Sequence, residues 1–159
     1  MKKVLFSLIA VATFFVACGP SPVAFNDAIV NANTNITKIG EDYQNEVSKS
    51  MQNSNFADVA AQTDSALVKI NAEIDKVKAL EVPKGGDAFK EAAVNTYESL
   101  RDMVEIGRKF GTLTAESDAS ELNKIVDEYN AKMEEYTKHF NDLSQAQMDF
   151  AEESNYEVR

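Results

Sequence analysis

From Ser21 to Tyr156 the apolar residues recur at intervals of three and four, the spacing of a stripe along one face of a helix rather than the alternation of a strand. Four such stripes follow one another. The first runs Phe25, Ile29, Ala32, Ile36, Ile39, Tyr43, Val47 and Met51, behind Ser21-Pro22, a capping side chain followed by proline at the first helical position. It predicts a helix over 22–51, which the cluster Gln52-Asn53-Ser54-Asn55 then breaks. A second helix over 56–80 carries Val59, Thr63, Ala66, Ile70, Ile74 and Val77, and stops at EVPKGGD, where Pro83 and Gly85-Gly86 both terminate helices. Asp87 is placed to cap a third, over 88–110, with Phe89, Ala93, Tyr97, Leu100, Val104, Gly107 and Phe110 inward. Asp118 with Glu121 three residues later forms an Asp version of the capping box for a fourth helix over 118–153, striped by Ile125, Tyr129, Met133, Tyr136, Phe140, Leu143 and Phe150.

Short connections make successive helices antiparallel neighbours, so the expected architecture is all-α, an up-down-up-down four-helix bundle over 22–159 with one core closed by the four stripes. The mean stripe spacing, about 3.5 residues, predicts left-handed packing. Gly107 sits in a seam, where a missing side chain admits a neighbouring helix; the alternative is a glycine tolerated at about 1 kcal/mol relative to alanine.

The N-terminus has a different pattern. Lys2 and Lys3 precede an apolar run, Val4 to Ala17, interrupted only by Ser7 and Thr13. Such a run is short of the roughly 20 residues that span a bilayer and predicts a secretory signal peptide over 1–17. Cys18 follows directly and is the single cysteine, so no disulfide within the chain is available to it. Phe15-Val16-Ala17-Cys18 resembles the lipobox of bacterial lipoproteins, with Phe15 where that family usually has Leu. The resemblance implies that Cys18 becomes the first mature residue and carries palmitate or similar acyl chains, with residues 18–21 as lipidated cysteine and tether. Each buried methylene contributes about 0.8 kcal/mol, one chain binds only marginally, and the two or three chains of such lipoproteins anchor stably.

By the same resemblance, Gly19 after the cysteine implies sorting to the outer membrane of a cell envelope, on its periplasmic face or at the cell surface. The short, proline-stiffened tether keeps the start of the first helix within about 10 Å of the membrane. EVPKGGD and the C-terminal EESNYEVR then share the membrane-proximal end. The turn Asn53, Ser54, Asn55 and the segment Leu113 to Ser120 point away, and these two loops, unless they are plain turns, are the candidate contact for a protein partner.

Charge narrows the partners. The chain carries a net charge of −10, two units more negative once Lys2 and Lys3 are removed, so a phosphate backbone would be repelled and nucleic acid is not an expected partner. A di-iron bundle site needs Glu-x-x-His on two helices, yet the chain has one histidine, His139, with Tyr136 three residues before it. Glu135, four residues before His139, could share a surface metal with it, although two ligands on an exposed face are more often solvated charges. Covalent haem would need Cys-x-x-Cys-His, and the methionines Met51 and Met103 lie roughly 30 Å and 20 Å from His139 along the bundle, too far for axial pairing. A nucleophile elbow and a phosphate loop are both missing from the chain. The expectation is a protein that is not an enzyme and uses no cofactor.

Two weaker signals remain. Tyr43, Tyr97, Tyr129 and Tyr136 fall on inward stripes; their hydroxyls need partners, and the rings either pack the core or, with Thr63, line a small-ligand pocket. Asp64-Ser65-Ala66 matches an acceptor pattern for O-linked glycosylation in Bacteroidota envelope proteins, although a helix interior is a poor place for a glycan. With its lipobox and bundle, the chain resembles small helical-bundle envelope lipoproteins of Gram-negative bacteria, which implies a membrane-anchored, non-enzymatic protein that binds or scaffolds another envelope protein. The alternative is a periplasmic small-molecule binding or sensing protein. A cavity of several hundred cubic ångströms between the helices favours the binder; a filled core beneath an exposed apolar patch favours the scaffold.

Overall fold

A computed structural model describes residues 19–114 and 116–155; residues 1–17, where the sequence predicts a signal peptide, Cys18 and residues 156–159 lie outside the described residues. Four α-helices account for most of the chain: α1 Pro22–Gln52, α2 Ala57–Lys78, α3 Asp87–Gly107 and α4 Ala119–Ser154, with a 3-10 segment Arg108–Thr112 after α3. The fold is an all-α four-helix bundle, and no strand occurs among the described residues.

The helix ends follow from local chemistry. Ser21 Oγ accepts from Ala24 N at 3.4 Å with Pro22 opening α1, and Asp118 accepts from Glu121 N at 2.9 Å to open α4. That backbone bond, with help from Ser120, holds the Asp118 carboxyl below its ordinary pKa. Asn155 closes α4 in the left-handed conformation, φ 53°, that asparagine tolerates. Most boundaries lie one residue from the sequence expectation, and three of the differences have a visible local setting. Asp87 is the first residue of α3 rather than its cap, and Gly86 stands at the cap position without a side-chain bond. Helix α2 stops at Lys78, two residues early, because Lys90 Nζ takes up the carbonyls of Lys78 (2.7 Å) and Leu80 (2.8 Å). Helix α3 tightens into the 3-10 segment at Arg108, which lets Gly111 lie against the backbone of Phe56 and Ala60 at the start of α2.

The two ends of the bundle are distinct. At one, here called the lower, Gly85 (φ +83°) lies beside Glu153 and Gly86 beside Phe25, so the start of α1, the α2–α3 loop and the end of α4 meet. At the other, the α1–α2 turn and the 3-10 segment meet. Between them runs a core of Phe25, Ile29, Ala32 and Ile36 from α1, Ile70, Ile74 and Val77 from α2, Phe89, Ala93, Tyr97, Leu100 and Val104 from α3, and Leu143 and Phe150 from α4.

Helices pack in the order α1, α2, α3, α4, and α1 also meets α3 across the core. The fourth side departs from a closed bundle. Backbones of α1 and α4 hardly approach one another; near the lower end Gln147 Nε2 donates to Asn26 Oδ1 at 2.8 Å and Phe25 stacks edgewise on Phe150. Above that bond the α1–α4 seam stands open.

A tyrosine-lined cleft as candidate functional site

The open seam holds a cavity of about 330 Å³. Helix α3 supplies its floor with Leu100, Met103, Val104 and Gly107, continued by Phe110 from the 3-10 segment. Tyr43, Val47 and Gly40 line the α1 wall, with Thr37, Glu41, Gln44 and Ser48 beside them, and Tyr129, Met133 and Tyr136 line the α4 wall. A smaller hollow of about 90 Å³ continues down the seam between Val30, Asn33 and Phe140 to the Asn26–Gln147 bond.

Two glycines shape the cavity. A Cβ on Gly107 would overlap the Tyr43 hydroxyl and lie 2.9 Å from its ring carbon Cζ, so the missing side chain is what lets Tyr43 reach across to α3. Of the two sequence readings of Gly107, close approach is the one the packing supports, the approaching group being a tyrosine ring rather than a helix backbone. A Cβ added on Gly40 would meet the Leu100 methyls at 3.7 and 3.8 Å, ordinary contact distances.

The four candidate tyrosines separate into two kinds. Tyr43, Tyr129 and Tyr136 come together on the cavity. Tyr97 does not: it is fully buried and donates its hydroxyl to the Ile29 carbonyl at 3.0 Å, tying α3 to α1 inside the core. Thr63, expected beside the tyrosines, is also sealed from the cavity. Its hydroxyl donates to the Val59 carbonyl (2.8 Å) and leaves its oxygen to accept from Tyr43, 3.1 Å away, with the Val104 carbonyl at 3.4 Å as a second acceptor. Tyr43 is therefore held by its tip within the core and offers its ring to the cavity wall. Burial raises the pKa of Tyr43, against the opposing hydrogen bond to Thr63, and burial alone raises those of Tyr129 and Tyr136. All three are neutral phenols at physiological pH.

The electrostatics of the lining contrast with those of the chain. Glu41, exposed at the α1 rim, is the single charged residue around the main cavity. The ion pairs run elsewhere: Arg108 with Asp64 (2.6 Å) and Glu105 (3.0 Å), Lys132 with Glu135 (2.6 Å), Lys109 with Glu128. Glu135 is thus engaged by Lys132 rather than by His139, whose backbone carbonyl accepts from Thr96 Oγ1 at 2.9 Å. Among the described residues no group of three or more His, Cys, Asp or Glu side chains gathers as a metal set, and no helix is long and apolar enough to cross a membrane.

The other candidates lie away from the cleft. Asn53, Ser54 and Asn55 are exposed and build the α1–α2 turn themselves, with Ser54 at φ 56°, Asn55 N donating to the Ser50 carbonyl (2.8 Å) and Asn55 Nδ2 to Asp58 (2.5 Å). Ser65 is exposed in the middle of α2, and Cys18 lies outside the described residues. Sequence reasoning does not single out Gly40, Glu41 or Gln44. The available signal is a second glycine in a long helix, opposite a glycine already placed in a seam. No family model, curated protein or solved structure matches this chain, so every role assigned to these residues is argued from the chain itself.

Proposed function

We propose that this protein is a non-enzymatic binding protein that takes a small, largely apolar molecule into the cleft between α1, α3 and α4, and that acyl chains on Cys18 hold it on an envelope membrane. The observation that carries this reading is the cavity of about 330 Å³ in what the helical stripes would otherwise fill as core. Protein interiors seldom leave voids larger than a water molecule. Pockets of roughly 300–1,000 Å³, apolar and aromatic with a few polar groups at one edge, are the usual form of a small-molecule site. Here the apolar floor comes from α3 and the polar edge, Thr37, Gln44 and Ser48, from α1.

Mass spectrometry of small molecules released from the purified protein tests the reading. One compound retained at near-stoichiometric amount, and lost in a Gly40→Leu variant whose side chain enters the cleft, is the expected result. An empty wild-type protein that also fails to shift in its thermal unfolding with any member of an apolar compound library would overturn it. Membrane attachment is tested separately: Cys18→Ser is expected to move the protein from the membrane to the soluble fraction, and retention in the membrane would sink the lipoprotein assignment.

A second reading, a scaffold for another envelope protein, draws on one specific feature. Leu122, Val126, Met133 and Phe140 are each 36–39% exposed along α4, and the last three recur every seventh residue as an apolar lip on the open seam. Crosslinking of the lipidated protein in cells, with sites placed along this lip, distinguishes a protein partner from a small ligand.

A further inference from the structure

The cleft has an aromatic wall, one unpaired carboxylate and no basic side chain, in a chain of net charge −10. We infer that it selects an organic cation, an alkyl- or arylammonium ion with an apolar body, over a neutral or anionic molecule of the same shape. This inference rests on the proposal that the cleft binds a small molecule.

Four of the lining residues are aromatic: Tyr43, Tyr129, Tyr136 and Phe110. Aromatic faces carry a negative quadrupole that attracts ammonium groups, by about 0.5–1 kcal/mol at exposed sites and about 2 kcal/mol where water is displaced. The phenols stay protonated, so they attract through their rings rather than as phenolates. Glu41 supplies the formal charge. It makes no ion pair among the described residues, and Lys38, the cation nearest it in the helix, is held instead by Asp42 at 2.9 and 3.1 Å. The rim carboxylate feels the Lys38 charge at a distance but forms no ion pair with it, and so can face a ligand cation, while Leu100, Met103 and Met133 offer apolar surface and polarisable sulfur to its body.

Exclusion works in the same direction. An anionic ligand would meet Glu41 with no lysine or arginine in the lining to offset it, within the field of an acidic chain. A neutral ligand would gain the apolar contacts of the cleft but nothing from the Glu41 carboxylate. Only a cation gains from both the rings and the carboxylate.

The test pairs two probes of one shape, benzyltrimethylammonium and its uncharged carbon isostere neopentylbenzene, titrated into the purified full-length protein and followed by NMR shifts of cleft methyl groups. The cation is expected to bind about tenfold more tightly than the isostere, with a Kd that rises with salt. Glu41→Gln, an exposed substitution that breaks no ion pair, is expected to weaken the cation several-fold and leave the isostere unchanged; Tyr129→Leu should weaken the cation more than the isostere. Equal affinity for the two probes overturns cation selection while the cleft remains a small-molecule site. Shifts from neither probe overturn cation selection, and an unaltered cation Kd in Glu41→Gln removes the carboxylate from the recognition and overturns the assignment; the small-molecule reading falls only on the separate result of an empty protein that no library compound stabilises.

Discussion

At its lower end the seam between α1 and α4 is filled by phenylalanines; toward its upper end it is lined by tyrosines and left hollow. Phe25, Phe89 and Phe150 pack with centroids 5.5–5.9 Å apart, two of the three contacts edge-on, as aromatic quadrupoles prefer. One stripe of α4 serves both ends: Leu143 and Phe150 are buried below, and Tyr129 and Tyr136, at the same seven-residue spacing, are only half-buried above. The difference lies in what the facing helices offer. Below, α1 and α3 present Phe25 and Phe89; above, they present Gly40 and Gly107. A helix stripe thus fills or lines a space according to the size of its opposite residues, and here the filled part holds the bundle together while the hollow part forms the cleft.

Removing the filling should break this division most. Phe150→Ala is expected to cost about 3–5 kcal/mol, read as a lowered midpoint in urea unfolding. A loss below about 1 kcal/mol would show that the lower end is not the stabilising half. Next comes Gly107→Ala. Helix propensity alone would make it stabilising by about 1 kcal/mol, but the new methyl must displace the Tyr43 ring, and overpacking of that kind costs about 1–3 kcal/mol. Net destabilisation is the expected sign, with NMR shifts at Tyr43 and around the cleft.

Tyr97 sharpens the contrast among the tyrosines. Tyr97→Phe loses the bond to the Ile29 carbonyl and is expected to cost about 1 kcal/mol near neutral pH. Burial holds the Tyr97 phenol well above its usual pKa in the folded state. The unfolded chain releases that proton near pH 10, so the contribution is whole below about pH 10 and declines as pH rises beyond it toward the folded value. Alkaline unfolding should therefore be less steep in Tyr97→Phe than in the wild type. The smallest effect is Gly40→Ala, expected to stabilise by about 0.4–1 kcal/mol, since the methyl meets Leu100 at ordinary distance and the backbone loses freedom only in the unfolded chain. It should raise the Tm and weaken probe binding together, the opposite of Gly107→Ala in the first respect.

The bundle was largely legible in the chain because helix formation is written locally. The period of Phe25, Ile29, Ala32 and Ile36, the caps Ser21 and Asp118, and the breakers Pro83 and Gly85-Gly86 each act within a few residues of themselves. The larger departures, at the ends of α2 and α3, arise where a distant group intervenes. Lys90 ends α2 from across a loop, and the start of α2 receives the 3-10 segment that closes α3. Three of the four inward tyrosines gather at the cleft, as a pocket would require, but periodicity cannot tell them from Tyr97, since all four occupy equivalent stripe positions.

The sequence by itself determined four amphipathic helices, their order and their pairing, because a period near 3.6 residues and short polar connections leave little other way to bury those stripes. Only the tertiary structure decided that one seam stays open. Whether two facing stripes meet depends on the summed volumes of residues far apart in the chain, Gly40 with Leu100, Gly107 with Tyr43, Phe25 with Phe89 and Phe150, and that sum exists only once the helices are side by side.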